Sequence, residues 1–537
     1  MGGGLLQLVA YGAQDAYITG NPHITFWKVL YKRHTNFAIE AMRVNFTGAP
    51  AYGQRLVAVV NRNADLVWKT YVEVVLPDTT TLGSLGTTVV KWSPGTSRRI
   101  GYALLKKIEV EIGGQIIDTH YGEWLYLWEN LTADYDTAVK LDSLMGGDVP
   151  GNSTSVNSCR GRPQVLYIPL QFWFNRNPGL ALPLIALQYH EVRFNIYVGS
   201  ALDLIQGTAG SAGSISTNAA LLPAPKEMSL YLDYIYLDVD ERRRFAQESH
   251  EYLIDQVQRG IPQTINTSSA RIDLTLNHPV KELVWVFQDA RKLDCSSDSS
   301  IALGYTRPFS YDDIVNRCRL QLNGQDRFDE RYGDYFYKVQ PYQHHTGGGF
   351  WPTINASIQN AGANLAGNVV IAAASITGNV LTVTNVTSGL ITEGMLIVGE
   401  TAGEVPANTF IVDYGTGNGG TGTYEISTTV GATRTVTLTA VTSVAARGFP
   451  ANVAQDSFGT INPINVYSFA ISPEEHQPSG TCNFSRIDNT TLVFDSVQST
   501  GAGTFPSKNY PYYFKSYAVN YNIFRIMSGM GGLAYSN

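Results

Sequence analysis

The apolar positions of this chain fall in short runs. RLVAVVNR (55–62), LVWKTYVEVVL (66–76), LKKIEVEIGG (105–114), QVLYIPLQFWF (164–174) and YHEVRFNIYV (189–198) each alternate or run apolar for five to ten residues. Gly, Pro, Asn or Asp clusters separate them, the spacing of a β-sandwich or barrel. A second series follows: RIDLTLN (271–277), VKELVWVFQ (280–288), CRLQLNG (318–324), NVYSFAI (465–471) and TTLVFDS (490–496). IEVEIGGQIID (108–118) places a Gly-Gly pair between apolar runs and predicts a tight hairpin. The best helical stretch is DERRRFAQESHEYLIDQVQ (240–258). There Asp240 caps, acidic residues fill the first turn, and Phe245, Leu253 and Val257 can share a face.

These runs divide the chain. Residues 1–25 are Gly-rich, lack a clear period and read as an arm that orders against a partner or a neighbouring domain. Residues 26–220 form a first strand-rich unit. GTAGSAGSISTNAALLPAP (207–225) reads as a loop running into a linker over 221–228. SLYLDYIYLDV (229–239) then opens a second unit that extends to 537. Inside that unit, residues 366–446 are rich in Thr, Gly and Val, with Arg434 as the sole base, and read as a small inserted β domain.

A phrase occurs twice. GGQIIDTHYGEWLYLW (113–128) is echoed by NGQDRFDERYGDYFYKV (323–339), 211 residues later from tyrosine to tyrosine (332 − 121). Both copies end a strand, turn at Gly-Gln and enter an aromatic-rich segment after Tyr-Gly and an acid. Duplication explains this economically: two similar β domains stand in tandem.

Composition narrows the function. Apolar residues make up 44% of the chain and charged ones 15%, so large cores are expected and disorder is not. A net charge of −7 argues against a general nucleic-acid binder. Cys159, Cys295, Cys318 and Cys482 form no C-x-x-C pair and read as free thiols of a reducing compartment. The N-terminal stretch has no basic n-region, and no apolar run reaches the roughly 20 residues of a membrane span. Synthesis and folding in the cytosol are expected.

Candidate chemistry is sparse. GTGNGG (415–420) fits a dinucleotide fingerprint, but the strand-like TYEISTTV follows where a helix N-terminus is needed. His190-Glu191 and His250-Glu251 open like zincin motifs, yet Phe194 and Ile254 stand where the second histidine belongs. His344-His345 sit in an expected loop, where solvation is commoner than metal binding. Arg242-Arg243-Arg244 reads as a solvated or ion-paired helix face, with contact to an acidic partner as the functional alternative. Trp124, Tyr126, Trp128, Phe172 and Trp173 read as core or subunit interface before they read as a sugar platform. No catalytic, cofactor or metal residues are assigned, and no enzyme activity is expected.

Long ordered segments resemble the major capsid proteins of nucleocytoplasmic large DNA viruses, of the algal chlorella-virus type above all. They are GGLLQLVAYGAQDAYITGNPHITFWK…YKRHTNFAIE (3–40), IPLQFWFNRNPGLALPLIALQYHEV (168–192), DERRRFAQESHEYLIDQ (240–256), NHPVKELVWV (277–286), PEEHQPSGTCNFSRIDN (473–489) and IMSGMGGLAYSN (526–537). The block 366–446 departs from the family. The resemblance implies an all-β fold of two tandem jelly-roll sandwiches, the second carrying the insertion. It implies a homotrimeric capsomer packed among neighbouring capsomers in an icosahedral shell. Minor capsid proteins and the membrane surface beneath the shell are implied partners, without direct nucleic-acid contact. It also implies glycans on outer loops, for which Asn355 and Asn385 are the candidate acceptors. A β-domain protein for host recognition or carbohydrate binding is the alternative.

Overall fold

In the computed structural model the described residues are 3–22, 26, 32–76, 91–92, 99–145, 165–206, 224–267, 269–290, 309, 311–347, 368–388, 395–399, 405, 409, 411–416, 421–442, 463–496 and 511–535. Two short helices, α1 (Gly3–Val9) and α2 (Asp15–Thr19), come first and bury none of their residues. Leu5, Leu6, Leu8, Tyr17 and Ile18 stand exposed along them.

Among the described residues, eight strands carry the order of the first sandwich: β1 (Phe37–Asn45), β2 (Arg55–Val59), β3 (Leu66–Val75), β4 (Leu105–Ile112), β5 (Gln115–His120), β6 (Val165–Pro169), β7 (Val192–Val198) and β8 (Glu227–Leu237), and the two-residue strand Leu182–Pro183 also pairs with β3. One sheet runs β1-β8-β3-β6 and the other β2-β7-β4-β5. Strand one thus pairs with eight, two with seven, three with six and four with five, all antiparallel. That wrapped pairing is a jelly roll. The helix α3 (Gly122–Thr132) leaves the roll between β5 and β6.

A nine-residue helix, α4 (Val239–Gln247), leads to the second sandwich. Its strands are β9 (His250–Arg259), β10 (Ser269–Asp273), β11 (Pro279–Asp289), β12 (Val315–Leu322) and β13 (Gln325–Asp326). A π-helical turn (Tyr335–Val339) runs into α5 (Gln340–His344). After β14 (Asn368–Ser388), β15 (Met395–Gly399), β16 (Ile411–Tyr414) and β17 (Gly422–Thr442), the roll resumes with β18 (Asn465–Ser468), β19 (Thr490–Ser496) and β20 (Tyr512–Met527). A short β21 (Met530–Leu533) folds back on β20. The sheets run β9-β20-β11-β18 and β10-β19-β12-β13, the same wrapped order as in the first roll. β14 to β17 form a separate sheet around their own small core, including Ile376, Leu381, Ile411 and Tyr424.

The repeated phrase is the same hairpin in both rolls. Gly113 and Gly114 have φ of 59° and 85° between β4 and β5; Asn323 and Gly324 have 49° and 79° between β12 and β13. Two successive left-handed residues give the turn whose twist suits a two-residue hairpin.

Two expectations are corrected. The strand opening at Ser229 belongs to the first roll, because β8 pairs with β1 along its length and with β3 on the other side. A jelly roll needs its eighth strand back beside its first, so the units divide near Asp238 and not across 221–228. The helix expected over 240–258 stops at Gln247; Asp238, not Asp240, caps it, its carboxylate accepting from Val239 N at 2.8 Å. From His250 the chain is β9, whose ten residues pair one for one with β20. Ladder pairing and burial of Ile254, Asp255, Gln256 and Val257 overrode local helical preference.

The two rolls differ in how their sheets are covered. β3 alternates, with Val72 and Val74 buried inward while Lys69, Tyr71 and Glu73 face outward, exposed or half-buried. β11 is buried on both faces from Val280 to Asp289. Leu283, Trp285 and Phe287 fill the second core, whereas Val284 and Val286 point to a different cluster. A strand apolar on both faces has a cover on each side. The outer cover of β11 comes from the first roll.

Candidate functional site: the seam between the sandwiches

α3 supplies that cover. Trp124, Leu127, Trp128 and Leu131 recur at helical spacing and pack against Val257, Val284, Val286, Val466, Tyr517 and Val519 of the second roll's outer sheet face. The Trp124 ring centroid lies 5.6 Å from that of Trp128 and 5.5 Å from that of Tyr517. Leu125, turned away from that face, belongs to the first core. Burying a large side chain of this kind contributes about 2–3 kcal/mol, so four of them form a substantial anchor.

Glu123, the acid of the first repeat, fixes the register of the seam. Tyr311 Oη donates to its Oε1 at 3.2 Å, Lys515 Nζ to Oε1 at 2.8 Å, and Tyr517 Oη to Oε2 at 2.8 Å. All three donors come from the second roll. Burial, and then the neighbouring Glu123 charge, holds both tyrosine hydroxyls well above their usual range. Beside it the edge of β5 meets β9. Val257 N donates to Asp118 Oδ1 at 3.1 Å, and Gln256 Nε2 donates to the Ile117 carbonyl. Asp118 Oδ2 also lies 3.0 Å from His120 Nε2, and both side chains are buried.

Charge continues across the seam. Arg176 of the first roll stacks over the Trp128 ring at 4.7 Å and reaches Asp255 at 3.8 Å. Lys281, fully buried, lies 3.3 Å from the same carboxylate and donates to the Glu475 carbonyl at 3.0 Å. Burial pulls the Lys281 ammonium below its usual range, and Asp255 opposes that pull. Gly347 N, beyond α5, donates to the Leu131 carbonyl at the end of α3.

The interlock runs in the other direction too. Phe524 and Ile526, near the end of β20, and Ile254 of β9 join the first roll's core. The Trp173 ring centroid lies 6.2 Å from that of Phe524. The turn after β20 is held by Tyr189 N on the Gly529 carbonyl at 3.0 Å, and β21 by Gly531 N on His190 Nδ1 at 3.2 Å. Each roll is completed by a piece of the other.

The remaining candidates resolve around this frame. The five aromatics proposed as core or interface are interior or half-buried: Trp124, Tyr126 and Trp128 at the seam, Phe172 and Trp173 in the first core. Arg242 pairs with buried Asp65 of the first roll, Nε to Oδ1 at 3.0 Å, while Arg244 pairs with Glu248 at 3.2 Å; Arg243 is exposed. His190 serves the β21 contact, and His250 lies on a strand with Nε2 2.8 Å from the Phe245 carbonyl. Thr416 and Thr423 bond reciprocally where the glycine-rich loop enters β17, a strand and not a helix. Asn385 is exposed on β14; Asn355, Cys159 and Cys295 lie outside the described residues. Cys318 is a buried free thiol and Cys482 a half-buried one.

His345 departs from expectation. It is not solvated. Its side chain is fully buried, with Nε2 2.9 Å from Glu282 Oε2 and Nδ1 3.0 Å from Glu474 Oε1. Burial by itself would lower its pKa, but the two carboxylates outweigh burial and raise it to about 9. Glu474 also accepts from Thr346 N at 2.8 Å and Thr346 Oγ1 at 2.6 Å. Sequence distance hid this cluster: its members come from β11, the end of α5 and the PEEHQ loop. Among the described residues no group of three or more His, Cys, Asp or Glu is placed to hold a metal. The site binds sandwich to sandwich, and its chemistry is burial and charge pairing.

Two jelly rolls, locked side to side so that a helix of one caps a sheet of the other, define the double jelly-roll class of viral capsid proteins. The comparisons carry the assignment further. Residues 25–238 match a family described as major capsid protein N-terminus. Residues 241–358 and 454–532 match the large eukaryotic DNA virus major capsid protein family. The major capsid protein of Pyramimonas orientalis virus is 39% identical over 539 residues, and that of Paramecium bursaria Chlorella virus 1 is 33% identical over 576, each covering 100% of both chains. The solved PBCV-1 virus capsid superposes with a TM-score of 0.60 at 29% identity, over 96% of this chain and 100% of that one. The chain belongs to the large eukaryotic DNA virus major capsid protein family and is a structural protein of the virion capsid. The boundary between the two matched regions falls after residue 238, beside the strand that closes the first roll.

Proposed function

We propose that three copies of this chain close into a capsomer with six similar sandwiches around its axis, and that capsomers tile an icosahedral shell. The observation that carries this reading is the internal repeat. The two rolls share one strand order and one hairpin, so three chains supply six near-equivalent units, a shape that packs hexagonally. Head-to-tail contacts between such units form rings when the rotation closes. Mechanism here is geometric, and the chain is assigned no catalytic step. The exposed apolar residues of α1 and α2 suit a tether at the capsomer base, where minor capsid proteins and the membrane surface are the proposed neighbours. The sheet of β14–β17 suits a separate surface module, with Asn385 as its glycan acceptor and Asn355 as a second candidate. Assembly is assigned to the host cytoplasm.

Light scattering of the purified full-length chain tests the central claim. A trimeric mass that persists on dilution supports it, and negative-stain images of the same sample should show pseudo-hexagonal particles. A monodisperse, folded monomer overturns it.

A further inference from the structure

One buried pair of the second roll is held as reactants are. The pairing of β11 with β20 slips between Val280, opposite Asn520, and Glu282, opposite Val519, so Lys281 is an extra residue at a bulge. Bulges re-aim side chains. Val280 and Leu283 both enter the second core, and the bulge turns the two residues between them to the outer face. On that face Asp255 of β9 stands opposite Tyr521 of β20. The Lys281 side chain passes over the Tyr521 ring, with Nζ 4.9 Å from its centroid, and ends 3.3 Å from Asp255 Oδ2. Strands β9 and β11, which are not neighbours in the sheet, thus meet across the strand between them.

Water is kept from the pair. Lys281 is 0% and Asp255 4% exposed. The PEEHQ loop roofs them: the Glu475 carbonyl accepts from Lys281 Nζ, and the His476 carbonyl accepts from Tyr521 Oη at 3.1 Å. Asp255 Oδ1 is buried with no hydrogen-bond partner among the described residues. An ion pair in such a place bears a desolvation cost that its own attraction does not readily repay. Two cations, Lys281 and Arg176, face this one carboxylate. Burial also favours the uncharged amine, the form of lysine that acts as a nucleophile. Groups held about 3–3.5 Å apart have already met the orientational cost of reaction, and Cγ lies one bond beyond Oδ2.

We propose that Lys281 and Asp255 condense in the folded chain to an isopeptide bond that fastens β9 to β11. Oδ2 takes a proton from the Lys281 ammonium, and the freed Nζ lone pair forms a bond to Cγ. The Cγ–Oδ2 bond then breaks, and the oxygen leaves as water with that proton and a second one from the nitrogen. Nothing is oxidised or reduced, and no co-reactant enters. Arg176 offsets the negative charge that gathers on the carboxyl oxygens during attack. The product is a neutral amide whose remaining N–H keeps the Glu475 carbonyl as its acceptor. Tyr521 forms the floor of the site, so the bond closes after β20 has entered the sheet and straps that strand in place. The bond lies within one chain and is independent of how copies assemble.

Mass spectrometry of the full-length chain tests this, after incubation of the folded protein near neutral pH and then denaturation. Trypsin cuts after Arg244, Arg259, Arg271, Lys281 and Arg291. The linked chain should resist cleavage after Lys281. Its digest should contain residues 245–259 joined to 272–291 as one branched peptide, one water lighter than the sum of the two. Lys281→Arg keeps the positive charge but offers no free amine at neutral pH, and should show no such loss. A parent digest that releases 245–259, 272–281 and 282–291 as separate peptides of full mass overturns the bond. A loss of water that persists in Lys281→Arg overturns it too, because the water then comes from elsewhere. The decisive readout is on the parent chain, so a variant that fails to fold does not obscure the result.

Discussion

Gly122 and Gly333 press against the same point of two different sandwiches. A Cβ on Gly122 would lie 2.3 Å from the Leu105 carbonyl oxygen, and one on Gly333 2.2 Å from that of Val315. Leu105 opens β4 and Val315 opens β12, strands that hold the same place in the two rolls. The Tyr-Gly-acid phrase is therefore a contact rule: the segment after the hairpin crosses the start of its own strand with no room for a side chain. Gly122→Ala and Gly333→Ala should each cost about 1–3 kcal/mol by forced backbone displacement. Urea unfolding checks this, and Gly122→Ala should be the larger loss because it also shifts α3 on the second roll.

Glu123 is the charged pin of the seam, and its removal strands Lys515, whose side chain is 12% exposed. Glu123→Ala should lower stability by about 3 kcal/mol, the scale for breaking a buried pair by deleting one partner. Lys515→Met in the same chain should recover part of that loss, since replacing both charges removes the uncompensated ion. A thermal double-mutant cycle measures the coupling; additive losses would show that the pair is not a unit.

Stability should fall as pH rises through the range His345 controls. Its folded pKa of about 9 lies above the unfolded value of 6.5. The folded state therefore holds the proton more tightly, and the contribution is fully present below about pH 6.5 and lost as pH climbs through 9. The shift corresponds to on the order of 3 kcal/mol. Glu474 acts in the opposite sense: its partners hold its pKa below the usual value, so its contribution is lost in acid. Melting temperatures from pH 6 to 10 should decline in the parent chain and flatten in His345→Gln.

Removal of the inserted sheet should leave the rest intact. Among the described residues, β14 to β17 pair only with one another and enclose their own core, and the family match passes from residue 358 to 454. A chain with 366–446 replaced by a short Gly-Ser linker should melt within a few degrees of the parent and keep its solution mass. Aggregation or loss of the cooperative transition would show that the sheet supports the roll beneath it.

Much of this architecture was legible in the residues. LVWKTYVEVV alternates and KELVWVFQ does not, and those patterns correspond to a sheet face left open and a sheet face covered. The duplicated phrase located both hairpins and the aromatic-rich segments after them, but did not show that those segments are helical. Three features were hidden by one cause, partners distant in sequence. β8 reads as a fine opening strand until its pairing with β1 is known. HEYLIDQVQ suits a helix until β20 arrives beside it. His345 looks like a surface loop residue because Glu282 and Glu474 lie far from it along the chain. Periodicity reports the faces of a segment and stays silent about which segment will meet them.

The tuck of β20 and β21 into the first sandwich sets a timetable. Phe524 and Ile526 belong to a core whose other walls were laid down from residue 44 onward. A ribosome making this chain exposes most of the first roll long before it delivers the residues that plug it. Until Phe524 and Ile526 arrive, that core lacks two of its buried side chains. A chain cut short before Phe524 lacks Phe524 and Ile526 and leaves their places in the first core unfilled.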